Sequence, residues 1–318
     1  MTVMLHRAQM FLSVMCVLAS VAKGADDPRV SLAIARNRVS VPRPDFRIES
    51  DLVLIPVRVT DSRSHAVTGL GRDSFRLFED NQEQRISQFA YEDAAISVGI
   101  LFDTSGSMMD KLPQCREAVR QFLRFANEDD EFFLVEFNRR AELTVPFTNQ
   151  TGDIENALLL VNPKGTTAFL DAVGLALNTL KQARHPRRAL LILSDGGDNH
   201  SRYSRREIVE RIRESDVAIY ALGLYSLNAL ITQDEIDAGR VLLERLALVS
   251  GGRHIAMNGL TDLPVTAARI SLELRNQYLL GYRPANSTAD GKYHRVRVNV
   301  TAGQRLTLSY RPGYYRTQ

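Results

Sequence analysis

An apolar segment of the chain ends in a carboxylate that is followed by two hydroxyls at every second position. Residues 96–102 carry no charge and are bounded by polar residues, which predicts a strand buried on both faces of a parallel sheet. Asp103, Ser105 and Ser107 come directly afterwards, and Gly106 permits the chain to bend. Since this spacing can turn three hard oxygen atoms toward one point, it indicates a site for Mg²⁺, with Mn²⁺ as a substitute.

A purely structural interpretation of the same residues is also open. Asp103 could simply end the strand, and Ser105, Ser107 or Asp110 could cap the helix that begins near Lys111. The choice between the two interpretations depends on whether other parts of the chain bring oxygen atoms to the same place.

Two later loops carry such oxygen atoms. Residues 164–171 open a helix and include Thr166 and Thr167, while residues 194–199 follow a second apolar strand and include Asp195. Open α/β sheets bind ligands at the carboxyl ends of their strands, so these loops would lie beside the first. The three loops together predict one oxygen-lined site, although either threonine could cap its helix and Asp195 could cap a turn.

The elements around these loops predict an α/β fold. Apolar strands alternate with amphipathic helices over residues 95–275, which is typical of a doubly wound, mostly parallel sheet with helices on both faces. The more polar segment 142–147 is expected to be an edge strand.

Short β segments flank the α/β region at residues 48–92 and 276–318. The second of these contains runs at 277–282, 293–300 and 304–310. Each flank has roughly 45 residues, near the lower limit for an unassisted core. We therefore expect both flanks to pack as one small β-sandwich into which the α/β domain is inserted, with two independent β appendages as the alternative.

The N-terminus has a different character. His6 and Arg7 precede the apolar residues 8–22, and small residues follow, so residues 1–24 have the layout of a secretory signal peptide. Residues 25–47 are basic and contain nearby prolines, which indicates a linker. We expect an exported protein, periplasmic or extracellular, with no transmembrane segment after signal cleavage.

Composition gives no reason to expect nucleic-acid binding. The net charge is only +3, and the basic residues are scattered along the chain. Apolar residues at 44% and charged residues at 24% are typical of an ordinary globular protein.

The three loops together resemble a known family. Asp103-Thr-Ser105-Gly-Ser107, a later Gly-x-Thr ending at Thr167 and a strand ending in Ser-Asp195-Gly have the order and spacing of the von Willebrand factor type A domain. The resemblance covers about residues 95–275. The flanking segments are similar to those of exported bacterial proteins, abundant in acidobacteria, that carry this domain.

The resemblance implies a metal-ion-dependent adhesion site. Ser105, Ser107 and Thr167 would bind the ion through hydroxyls, and Asp103 and Asp195 would bind it directly or through water. A threonine, Thr166, stands where the family usually has a glycine. The choice between Thr166 and Thr167 is therefore open, although the Gly-x-Thr spacing favours Thr167.

This site predicts a non-enzymatic binding module. Three hydroxyls and two carboxylates make an incomplete cage that keeps a coordination position open, so an Asp or Glu carboxylate from a protein partner could complete the coordination. The alternative is a metal-assisted hydrolase of the envelope. That alternative needs a general base or a second metal ion, and the sequence supplies no convincing candidate.

Overall fold

The computed structural model describes residues 52–63, 65–92, 94–225, 232–257, 259–284, 290–301 and 305–316. These residues belong to the unit Glu49–Gln318. The predicted signal peptide and linker lie outside the described residues.

Strands and helices alternate through the middle of the chain, with strands alone at either side. The strands are β1 (Val53–Thr60), β2 (Phe75–Glu79), β3 (Gln82–Gln84), β4 (Ile86–Glu92), β5 (Ser97–Asp103), β6 (Glu131–Phe137), β7 (Ala141–Thr148), β8 (Arg188–Ser194), β9 (Val217–Leu224), β10 (Arg253–Met257), β11 (Gln277–Tyr282), β12 (Tyr293–Val300), β13 (Thr307–Ser309) and β14 (Gly313–Tyr315). The α-helices are α1 (Leu112–Leu123), α2 (Thr151–Leu159), α3 (Phe169–Thr179), α4 (Arg205–Glu214), α5 (Gln233–Ser250) and α6 (Leu263–Arg275).

The central sheet has the order β10-β9-β8-β5-β6-β7 among the described strands. Strand β5 pairs in parallel with β8 on one side and β6 on the other, and β7 runs antiparallel at the edge. Helices cover both faces of this sheet. The predicted α/β class with a doubly wound, mostly parallel sheet is therefore confirmed.

Strand β5 is buried along its whole length because both faces of the sheet are covered. Ile100 and Phe102 pack against α1 and α6, whereas Leu101 points to the opposite face, against α3 and α5. Gly99 is required at its position, since a Cβ there would lie 2.2 Å from the ring of Phe133. Burial on both faces also explains why β5 carries no charged residue before Asp103.

The flanking strands form two antiparallel four-stranded sheets among the described residues, ordered β13-β1-β11-β4 and β14-β12-β2-β3. Each sheet combines strands from before and after the α/β region. On β12, Val296 and Val298 are buried while Arg295 and Arg297 between and beside them are exposed, the alternation expected of a strand with one face in the core. The domain boundaries given above stay predictions.

A buried cation joins β1 to the α/β region. The Arg58 guanidinium lies over the Tyr220 ring at 5.2 Å from its centroid and donates to the Gly251 carbonyl. Glu273 lies 4.0 Å from Arg58, accepts a hydrogen bond from the Tyr220 hydroxyl at 3.1 Å and pairs with Arg253 at 3.0 Å. Because these charged groups are buried, each depends on the others for compensation.

None of the helices in the described part of the chain combines the length and apolarity needed to cross a membrane.

A histidine in β12, His294, is surrounded by carboxylates. His294 Nδ1 lies 2.8 Å from Asp80 Oδ2 and 3.2 Å from Glu79 Oε1, and its Nε2 lies 3.1 Å from Asp290 Oδ1. Ligand atoms of Glu79, Asp80 and His294 are close enough together for a metal ion. However, Arg316 already pairs with Glu79, and both ring nitrogens face carboxylates. The arrangement therefore suits a protonated imidazolium.

The pH dependence of stability tests this interpretation. Burial opposes protonation of His294, but hydrogen bonds to Asp290 and Asp80 outweigh it, so its pKa is raised. A raised pKa in the folded state stabilises the protein fully below the unfolded value of about 6.5, and the effect is lost as pH rises through the folded value. We expect His294→Gln to lower the free energy of unfolding more at pH 5.5 than at pH 8.5, measured by urea denaturation. His200→Gln, at an exposed histidine, is the control, and a pH-independent loss in His294→Gln would contradict the prediction.

Candidate metal site

Asp103 is the last residue of β5, and its carboxylate is fully buried. Its Oδ1 accepts a hydrogen bond from the Ser105 amide at 2.9 Å, and its Oδ2 accepts one from the Ser194 hydroxyl at 2.6 Å. The hydroxyl oxygens of Ser105 and Ser107 are 3.1 Å apart. The two serines thus present their oxygens together, immediately beyond the buried carboxylate.

Backbone hydrogen bonds fix this first loop to the second. The Gly106 amide donates to the Gly165 carbonyl at 3.1 Å, and the Lys164 amide donates to the Thr104 carbonyl at 2.9 Å. A residue that the sequence did not point to also contributes. Asn138, just after β6, donates from its side chain to the Thr104 hydroxyl at 3.1 Å.

The second and third loops are joined in the same manner. The Thr167 amide donates to Asn199 Oδ1 at 2.9 Å, and the Thr167 carbonyl accepts from the amides of Asn199 and His200, both at 3.0 Å. Asp198 Oδ1 accepts from the Phe169 amide at 3.0 Å, in the first turn of α3. Asp198 therefore satisfies the helix terminus, where its negative charge is also favourable.

The geometry distinguishes the two candidate threonines. Thr167 is buried, whereas Thr166 is exposed. A Cβ added to Gly197 would lie 3.2 Å from Asp195 Oδ1 and 4.0 Å from Thr167 Oγ1. These two oxygens therefore border one small space, and the arrangement favours Thr167 as the one that faces the candidate site.

Asp195 brings a second buried carboxylate to the site. Its Oδ1 accepts from the Gly197 amide at 3.1 Å, while Oδ2 has no hydrogen-bond donor among the described residues. The nearest cation is Lys111, whose Nζ lies 3.6 Å from Oδ2 and also lacks a hydrogen-bond partner there. Nothing in the sequence pointed to Lys111 beyond its position shortly after the serines.

The carboxyl of Asp103 is disfavoured in its charged form. The pKa of Asp103 is raised to about 7, first because burial removes the carboxyl from water and second because Asp195 carries the same charge. Hydrogen bonds from Ser105 and Ser194 act in the opposite direction. A hard divalent cation would relieve this excess of negative charge, and the hydroxyl and carboxylate oxygens are ligands that Mg²⁺ and Mn²⁺ accept. The residues therefore fit such an ion.

Comparison with known families supports this reading of the three loops. Residues 98–197 match the family model described as von Willebrand factor type A domain. The chain contains a von Willebrand factor type A domain. The matched residues run from β5 to the loop after β8 and include all five predicted metal ligands. Hereafter this region is called the VWA domain.

Other similarities are more distant. An uncharacterized protein of Borreliella burgdorferi is 24% identical over 157 residues, 46% of each chain, so this chain spans less than half of that curated relative. Among solved structures, BatB from Bacteroides thetaiotaomicron is 17% identical, with 56% of this chain and 98% of that chain covered and a TM-score of 0.46. A von Willebrand factor type A protein from Catenulispora acidiphila is 12% identical, with 76% of each chain covered and a TM-score of 0.48. Such low values add no argument to the family match.

Two glycines allow helix α5 to approach the third loop of the VWA domain. Gly196 has a φ of +79°, and a Cβ there would lie 2.4 Å from the Gly239 carbonyl oxygen. A Cβ on Gly239 would lie 2.3 Å from the Asp195 carbonyl oxygen. Helix α5 thus supports the backbone that carries Asp195, and only glycine fits at the contact.

We expect Gly239→Ala to lower the free energy of unfolding by about 1–3 kcal/mol, because the added methyl group must displace the Asp195 backbone. Urea denaturation measures the change. Gly152→Ala is the matched control, since Gly152 is also helical and a Cβ there meets nothing within 4 Å. Equal stability of Gly239→Ala and the wild type would show that this close approach is not required.

Proposed function

We propose that the VWA domain of this chain is a non-enzymatic, metal-dependent protein-binding module. Its ion, Mg²⁺ or Mn²⁺, would be held by oxygens of Asp103, Ser105, Ser107, Thr167 and Asp195. The observation that carries the proposal is the convergence of three loops on the buried Asp103, with the Asp195 Oδ2 oxygen left without a hydrogen-bond donor among the described residues.

The partner group proposed is a carboxylate from an Asp or Glu side chain. When bound, the cation would supply a coordination position for one further oxygen ligand. The two carboxylates balance the charge of a divalent cation, so a partner carboxylate would bind by completing the oxygen coordination of this hard ion. Met109, Thr166 and His200 are exposed on the three loops and would form the surrounding contact surface.

Export is part of the same proposal. The pattern of residues 1–24 supports a secretory signal peptide, which would place the VWA domain in the periplasm or outside the cell. Proteins and glycoproteins of the envelope would then be the available partners. We propose no nucleic-acid partner, since the net charge is small and the basic residues are scattered.

The metal site can be tested with Mn²⁺ alone. We expect isothermal titration calorimetry to show one weak Mn²⁺ site in the wild type and at least tenfold weaker binding in the double variant Ser105→Ala/Ser107→Ala, because both hydroxyls are ligands. Asp110→Ala is the matched control, since Asp110 lies exposed in the same loop segment. Circular dichroism would establish that each variant is folded. Unchanged Mn²⁺ affinity in the double variant would contradict the proposed ligand set.

The carboxylate requirement can be tested with a pair of short peptides, one containing Asp and the other Asn at the same position. We expect only the Asp peptide to bind, at millimolar concentration, and only when Mg²⁺ is present, because a neutral amide is a poorer ligand for a hard cation. Fluorescence anisotropy with and without EDTA measures this difference. Binding that survives EDTA would contradict the proposal, and peptide cleavage seen by mass spectrometry would favour the hydrolase alternative.

A further inference from the structure

Lys111 occupies an unusual position for a lysine. It ends the 3₁₀-helix Gly106–Lys111 that connects the two serines to α1, and only 3% of its side chain is exposed. Its Nζ has three donor hydrogens but no hydrogen-bond acceptor among the described residues. A buried ammonium whose one close carboxylate oxygen lies 3.6 Å away, just beyond hydrogen-bond distance, is costly, so packing alone does not explain it.

The ammonium lies against the candidate metal site. Its nearest charged atom is Asp195 Oδ2, at 3.6 Å, and that oxygen also lacks a hydrogen-bond donor among the described residues. Burial raises the pKa of the Cys115 thiol to about 12, and the charges of Lys111 and Asp103 act on that pKa in opposite directions. Lys111 therefore belongs to the same electrostatic group as both carboxylates.

The Lys111 ammonium changes the net charge of the candidate site. Asp103 and Asp195 contribute −2, and Lys111 reduces this to −1. A divalent cation would bring the group to +1 with Lys111 but only to zero without it. The loaded site is therefore cationic only when Lys111 is present, and in a dry environment such an excess charge favours an anionic ligand.

We propose that the positive charge of Lys111 lowers the affinity of the VWA site for a divalent cation. Because the same charge leaves the loaded site cationic, cation binding and carboxylate binding each strengthen the other. This inference rests on the function proposed above. It assigns Lys111 an electrostatic role toward the ion, with no direct bond to it.

A competing explanation is that Lys111 merely positions Asp195. The two explanations predict opposite results. If the charge matters, removing it strengthens cation binding. If the position of Asp195 matters, removing the side chain weakens cation binding, because a ligand is displaced.

The test measures Mn²⁺ affinity by isothermal titration calorimetry in a carboxylate-free buffer. We expect Lys111→Met and Lys111→Gln each to bind Mn²⁺ at least tenfold more tightly than the wild type. Lys111→Arg retains the charge and should bind like the wild type. Lys164→Met is the matched control, because it removes a lysine from the neighbouring loop at an exposed position, where water and salt screen the charge.

A second arm repeats the titrations in the presence of acetate, which stands in for a partner carboxylate. We expect acetate to increase the Mn²⁺ affinity of the wild type and of Lys111→Arg, and to have a smaller effect on Lys111→Met and Lys111→Gln. Thermal unfolding in EDTA identifies any variant that does not fold, and the glutamine variant then carries the comparison if the methionine variant fails.

The outcomes separate this inference from the proposed function. Mn²⁺ binding that is equal to or weaker than wild type in both neutral variants, or an acetate effect that is the same in all variants, would overturn the role of Lys111 and leave the metal site intact. Absence of Mn²⁺ binding from the wild type and every variant would overturn the metal site itself, and the inference with it.

Discussion

Burying the carboxylate of Asp103 at the end of the central strand is the constraint on which the rest of the site depends. A charge removed from water must be compensated by hydrogen bonds or opposite charges. The Ser105 amide, in the loop after β5, and the Ser194 hydroxyl, at the end of β8, provide the hydrogen bonds. Both segments must therefore keep their positions for Asp103 to stay buried, which couples the local site to the order of strands in the sheet.

The sheet makes this possible because its strands are parallel. Strands β5 and β8 are neighbours and end at the same edge of the sheet. Asp103, at the end of β5, therefore lies near Asp195, which directly follows β8. Helices α3 and α5 then hold the loops from one side, α3 through its first turn and α5 through the close contact at Gly239. Backbone hydrogen bonds thus hold the three loops of the candidate site together.

Several buried charges in this protein are compensated by partners. Arg58 and Glu273 are buried between β1 and the α/β region, and Asp130 pairs with Arg275 where α6 ends. Those groups have complementary charges and hydrogen bonds. The candidate metal site differs, because the pKa of Asp103 is raised first by burial and second by the like charge of Asp195, and the only cation beside Asp195 among the described residues is Lys111 at 3.6 Å. This imbalance is the physical distinction between a structural ion pair and a site suited to a divalent cation.

The sequence by itself determined the elements and most of the candidate site. Helix α4 and strand β9 follow local signals, namely their apolar periodicity and, for α4, a capping box at Ser204. Strands β3 and β14 were not predicted, and the described part of the segment 304–310 contains only the short β13, because brief strands depend on their partners more than on their own residues. Tertiary structure alone decided the burial of Thr167 rather than Thr166 and the approach of Lys111 to Asp195. Those contacts join residues far apart in the chain, and no local pattern encodes which of them will meet.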